Sequence, residues 1–127
     1  MQMSRPPVLE LTGFRRGPRY VIKLKGKELP LPATLFMAIC DLVLARATKR
    51  AGFVPLSTYT ARRLRIEIDR AFSKKGAGHR FIITGADGDY CLSLERSEIT
   101  LDESFVELLE TNVITREKLQ RIMKAVN

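Results

Sequence analysis

Residues 58–73 of this chain set four arginines, at positions 62, 63, 65 and 70, into a stretch with helical periodicity. At about 100° per residue, Ala61, Leu64, Ile68, Ala71 and Phe72 share one face, which must be buried. Tyr59, Arg63, Ile66 and Arg70 share the opposite face, with Arg62 and Glu67 on its flanks. A merely solvated face mixes Glu with Lys to gain i,i+4 ion pairs; long arginines around an isoleucine and a tyrosine suit another chemistry. Arginine forks onto guanine O6 and N7 or neutralises phosphate, and an apolar tip such as Ile66 touches a thymine methyl. Tyr59 and Thr60, at the helix start, are placed to donate to phosphate. The bland alternative is an arginine-rich face with no ligand.

Two further basic clusters offer phosphate contacts: Arg15 and Arg16 with Arg19, and Lys74 and Lys75 with His79 and Arg80. Each is also readable as a solvated loop. His79, the only histidine, has no second His, Cys or acid cluster beside it and reads as a phosphate neighbour or surface residue, not a base or ligand. Net charge is +8 and the isoelectric point is near 9.9. Residues 1–94 carry 17 Lys/Arg against 7 Asp/Glu, whereas residues 95–127 carry 5 against 7. The basic character therefore lies in the first three-quarters, as expected for an acidic partner such as nucleic acid.

The sequence contains no P-loop, G-x-S-x-G, metal-spaced Cys/His set or glycine-rich dinucleotide turn, so the expectation is a non-enzymatic protein with no cofactor and no metal. Cys40 and Cys91 sit in apolar runs and read as buried small hydrophobes. No run approaches 18 apolar residues and the first residues lack an apolar signal core, so the chain reads as cytoplasmic, with no membrane partner.

The elements that must position these residues follow from period and punctuation. Residues 1–7 read as a loose arm. Val8 to Phe14, Tyr20 to Lys25 and Glu28 to Leu31, with a turn at Gly26-Lys27, read as a small antiparallel sheet. Pro32 opens a strongly apolar helix from Ala33 to about Lys49, closed near Gly52. Phe53 to Leu56 is a connector over the core. Ser57 or Thr58 caps the arginine-rich helix, and a basic glycine-containing loop follows from Lys74 to Gly78. Arg80 to Thr84 and Tyr90 to Leu94 flank Asp87-Gly88, a hairpin signal. The tail reads as helices over about 102–111 and 115–126, with Asp102 and Thr115 as candidate caps. The domain reading is residues 1–94 with residues 95–127 as a helical extension packed on the same domain.

In this order the chain resembles the winged helix-turn-helix effector domain of OmpR/PhoB-type response regulators. Three groups carry the resemblance, across about residues 21–94. Leu29-Pro30-Leu31-Pro32-Ala33-Thr34-Leu35-Phe36 resembles the start of that family's first helix, with its L-x-L motif and phenylalanine. Ala61-Arg62-Arg63-Leu64-Arg65 resembles the I-x-R-L-R of the recognition helix. Ile82-Ile83-Thr84 followed by Tyr90-Cys91-Leu92 resembles the wing pattern T-x-x-G-x-G-Y-x-L. The resemblance implies an α+β winged helix-turn-helix with an N-terminal sheet and extra C-terminal helices. It further implies a transcriptional regulator that binds specific double-stranded DNA, with Tyr59, Arg62, Arg63, Ile66 and Arg70 towards the major groove and Leu64 in the core. Arg65 would serve a phosphate or an internal carboxylate.

Three features depart from that family. Residues 1–20 leave no room for a receiver domain, so phosphorylation-driven control of that style is not expected. Only residues 52–58 separate the two helices where the family places a further helix. The wing tip, Gly85-Ala86-Asp87-Gly88-Asp89, carries two acids, which phosphate would repel. The alternative is therefore a winged-helix protein-interaction adaptor or dimerisation module without DNA binding. Its surface would be the apolar stripes Leu101/Phe105/Leu108/Leu109 and Leu119/Ile122/Met123/Val126 of the C-terminal helices.

Overall fold

A computed structural model describes residues 8–49, 52–111 and 116–126; the expected arm at 1–7 and the cap at Thr115 lie outside them. Strands β1 (Leu9–Arg16), β2 (Arg19–Leu24) and β3 (Lys27–Leu31) form an antiparallel meander. Ile22 pairs with Leu11 on one side and Leu29 on the other, so buried apolar residues stack across one face. The β2–β3 turn falls on Lys25 and Gly26, one residue earlier than expected. Both have positive φ, +51° and +78°, the backbone that a two-residue hairpin turn needs to match strand twist. Pro30 lies in β3, the edge strand, where a missing N–H does least harm.

A fourth strand was not expected. β7 (Ile99–Leu101) runs parallel to β1, with Leu9 opposite Ile99 and Leu11 opposite Leu101, giving the order β3-β2-β1-β7. The tail thus enters the N-terminal sheet before it turns helical.

Helix α1 (Ala33–Thr48) starts after Pro32, whose ψ of 155° leaves it outside the helix. Buried residues from Leu35 to Ala45 pack it under the sheet and against the C-terminal helix. Its C-cap is Lys49 rather than Gly52, which takes a left-handed φ of +69° further on. The connector expected at 53–56 contains a strand, β4 (Val54–Pro55). It pairs with β6 (Asp89–Leu92), which pairs with β5 (Ile82–Thr84) to make a second sheet of order β4-β6-β5.

Helix α2 (Thr58–Phe72) begins at Ser57, whose Oγ accepts from the Thr60 N–H at 3.0 Å, a cap worth about 1 kcal/mol. It ends at Ser73 in the left-handed conformation. A short helix α3 (Ala77–Phe81) then occupies residues expected as loop and strand, so Arg80 and Phe81 are helical. Gly78 explains how it fits: a Cβ there would collide with the Arg65 backbone, so only glycine lets α3 lie against α2.

The tail also differs from expectation at its start. Asp102 caps a 3-10 turn over Glu103–Val106 rather than an α-helix, accepting from the Ser104 N–H at 2.9 Å. Hydrogen bonds from Ser104 hold the Asp102 carboxyl below its usual range. α4 (Glu107–Thr111) and α5 (Arg116–Val126) follow. Phe105, Leu108, Leu119 and Ile122 are buried in the same core as α1 and the first sheet, with Leu101, Leu109, Met123 and Val126 packed against it. The stripes offered as a partner surface are therefore largely spent inside the domain. Lys118 Nζ meets Asp41 Oδ1 at 2.6 Å, fastening α5 to α1. Both cysteines are buried, and burial pushes the Cys40 thiol well above its usual pKa. Among the described residues, no group of His, Cys, Asp and Glu could hold a metal, and no helix is long and apolar enough to cross a membrane.

Candidate nucleic-acid interface

The two faces of α2 separate as the period requires. Ala61, Leu64 and Ile68 are buried, none more than 1% exposed. On the opposite side Tyr59 is 73% exposed, and Arg62 and Arg70 are exposed. Arg63 is half-buried, its Nη2 3.8 Å from Glu67 Oε1 in an i,i+4 pair. Ile66 is half-buried rather than exposed. Arg62, Arg63 and Arg70 stand four before, three before and four after it on the same face, where long aliphatic stems cover a neighbour. Thr60 is half-buried and its Oγ1 accepts from Ser57 Oγ at 2.8 Å, so Tyr59 is the one of the two that stands clear of the helix start.

Arg65 takes neither of the two roles considered for it. Its Nε and Nη2 donate to the Ile82 carbonyl at 3.1 and 2.5 Å, Nη2 also reaches Thr84 Oγ1 at 2.8 Å, and the guanidinium lies 5.4 Å from the Tyr90 ring centre. From the other side, Arg46 Nη2 of α1 donates to the Leu92 carbonyl at 2.9 Å. Ile82 and Leu92 are paired at the root of the β5–β6 hairpin. Two arginines from two helices thus clamp that root, fixing the hairpin relative to α2. Composition gave no sign of this, because the acceptors are main-chain carbonyls.

At the hairpin tip the expected pair of acids is reduced. Asp87 is exposed, but Asp89 is half-buried with Oδ1 turned in near Gly85 and unpartnered. Beyond α2, Lys74 and Lys75 are exposed on the loop to α3. Asp69 shapes that loop, accepting from the Gly78 and Gly76 N–H groups at 2.6 and 3.3 Å. His79 and Arg80 are exposed on α3. The other basic cluster is already engaged: the Arg15 guanidinium stacks 4.5 Å from the Tyr20 ring centre, and Arg16 Nη2 meets both Glu28 carboxylate oxygens at 2.5 and 2.8 Å. It lies at the β1–β2 turn, the end of β2 opposite the β2–β3 turn.

The structure therefore gathers Tyr59, Arg62, Arg63, Ile66 and Arg70 on one helix face, with Lys74 and Lys75 just past its end, and gives Arg15 and Arg16 internal partners. No protein family, curated protein or solved structure matches the chain significantly.

Proposed function

We propose that the protein binds double-stranded DNA sequence-specifically, as a cytoplasmic transcriptional regulator of winged helix-turn-helix type. Helix α2 lies in the major groove and the β5–β6 hairpin serves as the wing. The observation that carries this reading is the outward face of α2, where an exposed tyrosine and two exposed arginines stand opposite the buried face of Ala61, Leu64 and Ile68. The hairpin clamped beside the same helix supports it. Arg62 and Arg70 supply base or phosphate contacts, and Lys74 and Lys75 follow the backbone. Arg63 exchanges Glu67 for DNA.

Selection from a randomised duplex library tests the proposal. The wild-type chain enriches a defined motif, and its affinity for that motif falls steeply with salt, the log–log slope being about 0.9 per phosphate neutralised. Arg62→Ala with Arg70→Ala abolishes enrichment while the circular dichroism spectrum stays unchanged. Failure to enrich any motif, or equal enrichment by the double variant, would sink the reading.

One observation favours the adaptor alternative. Phe14 and Val106 are 49% and 46% exposed, on segments joined where Ser104 Oγ accepts from the Gly13 N–H at 2.9 Å. A protein retained from nuclease-treated lysate by the wild type, and lost with Phe14→Ser and Val106→Ser, would move the assignment there.

A further inference from the structure

A groove of about 330 Å³ opens between the β2–β3 turn, the α2–α3 loop, α3 and the strand-to-turn segment after β6. Ligand pockets start at about that size. Phe72, Phe81, Ala77, Leu94 and Val8 give it an apolar lining, while Lys25, Lys74 and Arg80 supply three cations. The Phe72 and Phe81 rings stack with centres 6.2 Å apart, and Lys25 Nζ is held 5.4 Å over Phe81. Lys27 Nζ sits 5.8 Å over Phe72 just outside.

The wall is fixed by main-chain bonds: the Lys25 N–H donates to the Val8 carbonyl at 2.7 Å, and the Val8 N–H to the Glu98 carbonyl at 2.8 Å. Among the described residues no carboxylate is ion-paired with Lys25, Lys74 or Arg80; the ion pairs there involve Arg16, Lys23, Arg63 and Lys118. Glu98, the one acid in the lining, spends Oε1 on the Glu95 N–H at 2.9 Å.

We propose that this groove binds a small organic phosphate monoester, its apolar body against Phe72 and Phe81 and its phosphate among Lys25, Lys74 and Arg80. Three cations around a dianion, with the planar arginine fork able to take two oxygens, favour phosphate over carboxylate. The apolar lining favours an esterified phosphate over the free ion. This site shares Lys74 with the DNA reading but needs neither the outer face of α2 nor a duplex.

Titration by amide nuclear magnetic resonance decides it, with phenyl phosphate, inorganic phosphate, benzoate and benzyl alcohol as probes. Phenyl phosphate shifts the amides of Lys25, Gly26, Ala77, Gly78 and Ser93 saturably. Inorganic phosphate and benzoate each bind about tenfold more weakly, and benzyl alcohol does not compete. Lys25→Gln with Arg80→Gln weakens phenyl phosphate about tenfold or more. Should that pair unfold the domain, Lys74→Gln alone weakens it and Glu98→Gln, which keeps a side-chain acceptor for the turn, tightens it. Shifts that spread over the basic surface without saturating, equal affinity for inorganic phosphate, or unchanged affinity in these variants would overturn the site.

Discussion

Helices α1 and α2 are nearly the same length, 16 and 15 residues, and are neighbours in the chain, yet they use their surfaces in opposite ways. Nine residues of α1 are buried, against three of α2. α1 is walled by the first sheet, the second sheet and α5, so nearly every side of it must be apolar. α2 is backed by β3, α3 and α1 and leaves a whole face outside. A helix that buries little must draw its position from somewhere else. α2 draws it from discrete polar devices: the Ser57 cap, the Arg65 bonds to the hairpin and the Asp69 grip on the α2–α3 loop. The side chains of Tyr59, Arg62 and Arg70 take no part in these devices, as a binding surface requires.

Substitutions that separate packing from presentation test this contrast. The largest effect belongs to α1: Leu42→Ala, at a fully buried position, lowers unfolding free energy by about 3 kcal/mol in urea denaturation. A loss below about 1 kcal/mol would mean that α1 is not the packing centre. Next comes Gly78→Ala, whose methyl group meets the Arg65 backbone; forcing α3 off α2 costs about 2 kcal/mol. Arg65→Gln follows, at about 1–2 kcal/mol from lost charge-assisted bonds, with faster hydrogen exchange at the hairpin amides. Exchange unchanged at Gly85 and Cys91 would show that the clamp does not hold the hairpin.

A smaller change is expected at Asp102. Its carboxyl pKa is lowered in the folded state, so its contribution is present above the unfolded pKa and is lost as pH falls through the folded value. Wild type and Asp102→Asn should therefore differ at neutral pH and converge in acid; a constant gap across that range would remove the linkage. Smallest of all, Arg62→Ala with Arg70→Ala shifts stability by less than about 0.5 kcal/mol. A loss as large as that of Leu42→Ala would erase the distinction between the two helices.

The sequence exposed some of this and hid the rest for identifiable reasons. α2 was legible because Ser57 caps it and its apolar positions keep one period. The first three strands and the β5–β6 hairpin were legible from alternation and from Asp87-Gly88. α3 was hidden because Ala77-Gly78 reads as a loop, and what makes it helical is contact with Arg65, a tertiary fact. β4 is two residues ending in proline, too short for any period. β7 was hidden because its three residues pair with a strand about ninety positions earlier. Of the candidate site, the outer face of α2 followed from helical geometry, whereas the roles of Arg16 and Arg65 depended on partners distant in the chain. Lys25 reads as a strand lysine and Lys27 as a turn residue, and only the tertiary packing brings them over Phe81 and Phe72.

The parallel pairing of β7 with β1 bears on how the chain comes to fold. Hairpins can close as soon as their second strand exists, but β1 waits for Ile99–Leu101 before its outer edge is covered. A contact of such sequence separation is slow to form, because a long loop must close first. Until then β1 presents unpaired N–H and C=O groups, a template for pairing with another chain. During synthesis the most aggregation-prone moment therefore falls after α2 and the hairpin have emerged and before residue 101 arrives. The last strand to form closes the sheet that the first strand began.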